Sequence, residues 1–226
     1  MKKVLLLTVC LYSFVCLSQT TITRTLGDFD ILKVYSGIDI KLIKSDKQEL
    51  VITGEKSDKV KIKEKNKTLK IKLSFPETMA DGKVKAVLYF NKDIAVIDVN
   101  EGVSISSEDQ FIQNHIEIKA QEGAFADLDV DTKHLTVKAS SGGIIRLRGK
   151  AKNQTVNVDL AATYHGYKLV VDNMSTIKAG SGAKAEVHSG ETLNAKVSFG
   201  GTILYKGQPE VIDEKKVIGG AIEDRN

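Results

Sequence analysis

The chain has 226 residues, with 33 Lys and Arg against 29 Asp and Glu, a formal net charge of +4, and two cysteines. That length can bury a sizeable core, as one domain or two small ones, and so small a net charge says little about partners. Both cysteines fall within the first 16 residues, which excludes a disulfide framework for everything after them.

The chain opens MKKVLLLTVCLYSFVCLSQT: two lysines, then an apolar run of 14 residues from Val4 to Leu17. With small residues at Cys16 and Ser18, residues 1–18 read as a secretory signal peptide cleaved after Ser18. A membrane anchor is the alternative, but a spanning helix needs about 20 residues. Lipid attachment is a second alternative, disfavoured because Val9 and Val15 precede the cysteines where a small residue is expected. Removing Lys2 and Lys3 takes the formal charge from +4 to +2 and leaves an exported chain held by burial and hydrogen bonds alone.

Residues 19–83 read as a strand-rich region continuous with the repeats C-terminal to it. Ile38, Ile40 and Leu42 alternate with polar residues, and TLKIKL (Thr68 to Leu73) repeats the style. Lys41 to Lys72 holds eleven lysines against five acids. Lysines that keep sheet edges soluble account for this excess; a patch meeting anionic glycans or lipid headgroups is the sharper reading. The stretch lacks the interleaved aromatics of a nucleic-acid surface, and export argues the same way.

A period emerges over residues 84–207. LTVKASSGGIIRLRG (Leu135 to Gly149) and LNAKVSFGGTILYKG (Leu193 to Gly207) share seven of fifteen positions. Aligned on Gly102, Gly123, Gly142, Gly182 and Gly200, the segments recur at intervals of 21, 19, 40 and 18 residues. TVNVDLAATYHGYKL fills the long interval with Ala or Thr where Gly is expected. About six rungs of about 20 residues, made only of strands and turns, predict an all-β parallel β-helix or β-solenoid. Alternation places Ile97, Val99, Ile118, Ala120, Val137 and Ala139 inside on the near side of the turn, and Val103, Ile105, Ala126, Leu128, Ile145 and Leu147 inside on the far side. It aligns Val103 with Ala126, and sets Asp127 and Asp129 outward beside Arg146 and Arg148 of the next rung. Phe125 and Ile144 fall outward together, for the N-terminal strands to cover or as part of an interface. Residues 208–226 read as a capping strand.

FDILKVYSGIDIKLIKSDKQELVITGEK (Phe29 to Lys56) carries a Ser-Gly-Ile-Asp step at Ser36, Gly37, Ile38 and Asp39, then DKQELVITG (Asp46 to Gly54). GGTILYKGQPEVIDEKKVIGGAIE (Gly200 to Glu223) supplies a Tyr-x-Gly-x-Pro closing motif. Together they resemble the bacterial family named putative auto-transporter adhesin, head GIN domain, over roughly residues 27 to 223. The resemblance implies an exported β-helical protein, mostly from Bacteroidota, with no catalytic residues to carry over.

Catalytic signals are sparse. His115, His134, His165 and His188 lack metal-ligand spacing, and neither HExxH nor GxSxG occurs. GIIRLRGK (Gly143 to Lys150) departs from a phosphate loop in spacing and has Ala151 where Ser or Thr belongs. Two weak site candidates remain. Asp127, Asp129 and Asp131 share one strand face and could hold a hard cation, although neighbouring arginines favour a charge ladder. Tyr164, His165 and Tyr167 sit at the turn without glycine, where aromatics could stack on sugars or fill the vacant corner.

The expected function is a non-catalytic envelope protein, adhesin-like or a scaffold, contacting glycans or proteins through a rigid surface, with no cofactor and no nucleic-acid partner. A polysaccharide lyase or hydrolase on a β-helix is one alternative. A structural oligomer joined through the solenoid ends is another, with Val211 to Ile222 and the N-terminal strands as candidate caps. The mature chain shows no transmembrane segment. Location is expected to be periplasmic or extracellular.

Overall fold

A computed structural model describes residues 21–226. The predicted signal peptide, 1–18, lies outside the described residues. The chain winds as a parallel β-solenoid whose strands all belong to one 17-stranded hydrogen-bonded sheet. About seven turns follow one another, against the six rungs read from the sequence. The difference lies at the C-terminus. Residues 208–226 form a further rung, with β16 (Val211–Val217) paired parallel to β14 (Thr192–Ser198) and β17 (Ala221–Asp224) paired parallel to β15 (Thr202–Lys206). The expected capping strand is therefore the last turn of the helix.

Each turn is closed by a two-residue corner with both φ values positive: Glu101–Gly102, Glu122–Gly123, Ser141–Gly142, Leu160–Ala161, Ser181–Gly182, Phe199–Gly200 and Ile218–Gly219. The corner is a tight turn. For example, the Gly143 amide donates to the Ser140 carbonyl at 2.9 Å and the Ala183 amide to Gly180 at 2.8 Å. From Gly102 to Gly182, the second residue of each corner also donates to the first residue of the next corner. Gly102 reaches Glu122 at 2.9 Å, Gly123 reaches Ser141 at 3.1 Å, Gly142 reaches Leu160 at 3.0 Å and Ala161 reaches Ser181 at 3.0 Å. These corners are thus strung on their own line of hydrogen bonds, which pairs backbone groups where the ladder bends. Leu160–Ala161 takes the same shape without glycine, at φ 50° and 59°.

The long strands β9 (Ser104–Gln121), β10 (Phe125–Ser140), β11 (Ile144–Val158) and β12 (Thr163–Ala179) carry the middle rungs. Every residue assigned above to the inner columns is buried. The far-side register agrees with the sequence alignment from Ala126 to Ile145 and from Ala185 to Ile203, and differs by two residues only at its first step, where Ile105, not Val103, faces Ala126. A shift of two preserves the inside–outside assignment, because side chains alternate with period two.

The N-terminal strands are woven into the stack. β2 (Ile31–Val34) lies between β6 (Thr68–Leu73) and β8 (Val96–Val99), parallel to both. β3 (Asp39–Lys44) lies between β7 (Lys85–Phe90) and β9. The chain lays one rung, turns back to build another on its outer side, then crosses to continue the helix. Antiparallel strands cover that outer end: β5 (Val60–Lys65) on β6, β4 (Glu49–Thr53) on β7, and β1 (Ile22–Thr25) on β4. The C-terminal end is treated differently. Its inner column reads Glu214 and Lys216 where the preceding rung has Ala195 and Val197. Charges in an inward column prevent another rung from stacking there.

Ala161→Gly removes a Cβ from a left-handed position and is expected to stabilise the fold by about 1 kcal/mol. A higher urea midpoint at unchanged slope is the expected reading; an unchanged or lower midpoint would show that this corner stores no strain.

Candidate functional site

Beyond the corner, β10, β11, β12 and β13 (Lys184–His188) align their outward residues in register. One column runs Asp127, Arg146, His165, Glu186. The predicted charge ladder is present. Arg146 Nη1 lies 3.3 Å from Asp127, Arg148 contacts Asp127 at 2.7 Å and Asp129 at 3.2 Å, and Lys150 reaches Asp131 at 3.2 Å. All three carboxylates of the weak cation candidate are thereby engaged by cations of the next rung. Among the described residues no group of three or more His, Cys, Asp and Glu is arranged to hold a metal.

The aromatic candidates separate. Tyr164 is fully buried and points into the core, where its hydroxyl donates to Gln154 Oε1 at 3.3 Å. Gln154 in turn donates to Ser175 Oγ at 3.0 Å. Burial pushes the Tyr164 phenol far above its ordinary value, so it stays neutral. It fills the solenoid and cannot meet a sugar ring, which corrects its place among the ligand-binding candidates. His165 and Tyr167 do face outward. His165 does so in register, while the position of Tyr167 follows from an irregularity: Arg146 faces His165 but Arg148 faces Lys168, so β12 carries one extra residue here. Gly166 makes the bulge possible, since a Cβ would fall 2.6 Å from the Tyr164 ring and 2.7 Å from the Glu186 carbonyl oxygen. Such bulges re-aim side chains and recur beside functional sites.

The result is a groove of 410 Å³ lined by Asp127, Arg146, Arg148, His165, Tyr167 and Glu186, with Lys168 at its edge. It joins residues from both weak candidates, a meeting that sequence spacing did not reveal. His165 Nδ1 lies 2.7 Å from Glu186 Oε2, and Lys184 holds the other oxygen at 2.7 Å. Burial works to raise the Glu186 pKa, but hydrogen bonds from Lys184 and His165 outweigh it and hold the carboxyl below its usual value. Lys206 Nζ sits 5.0 Å from the Tyr167 ring centre. Phe125 is half-buried with the Arg146 guanidinium 5.4 Å from its ring centre, and Ile144 beside it is exposed, so the N-terminal strands do not cover this pair. The arrangement offers an aromatic face and fixed hydrogen-bonding groups on a rigid floor.

Because the folded pKa of Glu186 is depressed, its contacts stabilise the fold at neutral pH, and that contribution is lost as pH falls through the folded value. Wild type is therefore expected to lose stability relative to Glu186→Gln below about pH 5. Parallel acid-side curves in thermal melts across pH would contradict this. Glu117 is also held low, by Lys138 and Lys119 against an opposing effect of burial, so some slope survives in the variant.

The fold has solved relatives. A putative adhesin from Bacteroides fragilis is 18% identical with TM-score 0.82, covering 92% of this chain and 97% of that one. A putative adhesin from Parabacteroides merdae, also 18% identical, covers 92% and 96% with TM-score 0.69. A protein described as a putative lipid binding protein, from Parabacteroides distasonis, is 18% identical with TM-score 0.68, covering 92% and 97%. At such identities the likeness shows the fold alone. No curated protein matches the chain. The model of one family, putative auto-transporter adhesin, head GIN domain, matches residues 28–209, and the chain belongs to that family.

Proposed function

We propose that this protein is an exported, non-catalytic, adhesin-like module of the cell envelope that holds a glycan through the groove around Tyr167. The observation that carries the reading is the β12 bulge, which sets Tyr167 beside His165 and the Arg146–Asp127–Arg148 cluster. Aromatic faces stack on sugar rings, and fixed charged groups bond hydroxyls with little reorganisation. The family and its fold support an adhesin-like role. The described residues contain no helix long and apolar enough to cross a membrane. The opening signal-peptide pattern supports export, to the periplasm or the cell surface.

The electrostatics favour binding over glycoside cleavage. A general acid for that reaction needs a raised carboxyl pKa. Glu186 is shifted the other way, and Asp127 is held by two arginines. The ends of the stack weigh against growth by end-to-end pairing, since one is covered by antiparallel strands and the other carries inward charges.

Tyr167→Ala is expected to weaken glycan binding about tenfold, from about 1.4 kcal/mol of lost ring contact. Chelators should leave binding unchanged, because Asp127, Asp129 and Asp131 already have partners. Binding across a panel of neutral and acidic polysaccharides, by calorimetry, checks both. Full affinity in the Tyr167→Ala protein, or strict calcium dependence, would displace the groove as the site.

A further inference from the structure

The near side of the corner carries a second pattern, independent of the groove. β5 and β6 set Lys61 opposite Lys72 and Lys63 opposite Lys70. These four lysines line a depression of 430 Å³ together with Ile62 and no carboxylate. Among the described residues, Lys61, Lys63 and Lys72 have no ion-pair partner. Glu64 is engaged elsewhere, holding Arg24 and the Gly27 amide. Like charges placed directly opposite destabilise a strand pair, so this hairpin is less stable than a Lys–Glu version of itself would be.

The pattern continues along the solenoid axis. Lys70 faces Lys33, and beyond Asp98 the same outward column holds Lys119 and Lys138. Asn157 follows, and then Lys178, Lys196 and Lys215 in successive rungs. Asp98 and Glu117 neutralise the middle of the column, through Lys33 at 3.5 Å and through Lys119 and Lys138 at 3.4 and 2.8 Å. Lys178, Lys196 and Lys215 are exposed and, among the described residues, unpaired. Unpaired cations therefore cluster at the two ends of a track about 40 Å long. Thr136, Thr155 and Thr176 run alongside as a row of hydroxyls. Protection of an open edge explains Lys61 and Lys63 on the edge strand β5. It does not explain Lys70, Lys178 or Lys196, which lie on interior strands.

We infer that this lysine column is a docking track for a linear anionic polysaccharide lying along the solenoid axis, across the strands. From Lys33 to Lys215 the track is one lysine wide, which fits a chain with regularly spaced charges better than the two-dimensional charge of a bilayer. Hydroxyls beside the lysines suit a sugar chain; Tyr35, with Lys70 Nζ 4.3 Å from its ring centre, stands at the N-terminal end, while the Thr and Lys columns between Thr136 and Lys215 carry no outward aromatic for stacking bases. Two separated cationic clusters predict that a chain long enough to reach both binds more tightly than a short one.

The test is binding of polygalacturonate of graded length to the purified protein, at low and moderate salt, beside neutral dextran. Chains able to span about 40 Å should bind more tightly than short oligomers and weaken steeply with salt. The double variant Lys178→Gln, Lys196→Gln should weaken long chains about fivefold and leave short oligomers bound at the N-terminal cluster. Lys63→Glu, which places a carboxylate opposite Lys70, should raise the melting temperature while weakening binding of both. Equal binding of dextran, absence of length dependence, or an unaffected double variant would overturn the assignment. So would preference for phosphatidylglycerol vesicles or single-stranded DNA over polygalacturonate.

Discussion

The αL–αL corner is the constraint on which the rest of this protein depends. A parallel ladder can bend sharply only if the bend keeps its backbone groups bonded, and here the corners from Gly102 to Gly182 each donate to the next. Once the corners align, the strands on both sides align with them and every second residue is driven inward. The apolar columns and the outward charge columns are two consequences of that one registration. Glycine occupies the second corner position in every sequential turn but one, where Ala161 takes φ 59°. Every one of these corners holds a non-glycine residue at positive φ in its first position, Ile218 among them, and one holds Ala161 in its second, so the stack forces residues into a conformation that they would not choose alone.

Registration also explains how an unremarkable net charge yields ordered electrostatics. Asp127 meets Arg146, and Lys178 meets Lys196, because residues 19 and 18 positions apart are neighbours across the ladder. The first pairing is mutually satisfied and forms the floor of a groove. The second is mutually repulsive and leaves cations facing outward. One geometry thus produces both a neutralised floor and an uncompensated track, on opposite sides of the same corner. Exclusion at the ends follows the same logic, because Glu214 and Lys216 occupy the column that a further rung would have to bury.

What could be read from the sequence divides along this line. Alternation is local, so the inside residues, the Asp–Arg ladder and the solenoid itself were legible. The far-side register was off by two at its first step, between Ile105 and Ala126, since a period of two cannot detect a shift of two. The interleaving of β2 and β3 between later strands was not legible, because it depends on pairings among distant segments that leave no periodic mark. For Tyr164 the sequence left stacking on a sugar and filling the vacant corner both open, because its corner has no glycine from which to count, and the structure gives the second. Counted from Leu160–Ala161, Ala162 and Tyr164 fall inside together. Tyr167 owes its position to a bulge that only the neighbouring rung defines. The lysine column was written in the chain as TVK, TIK, NAK and DEK at corresponding places, but it emerges only when those places are stacked.

The central functional claim is that these ordered surfaces hold a ligand without transforming it. Prolonged incubation of the purified protein with a polysaccharide that it binds, followed by quantification of new chain ends, tests this most directly. The expected result is stable binding with no new ends at any pH at which the protein is folded. Steady release of new ends, lost on substitution of His165 or Arg146, would contradict it and make the groove an active site.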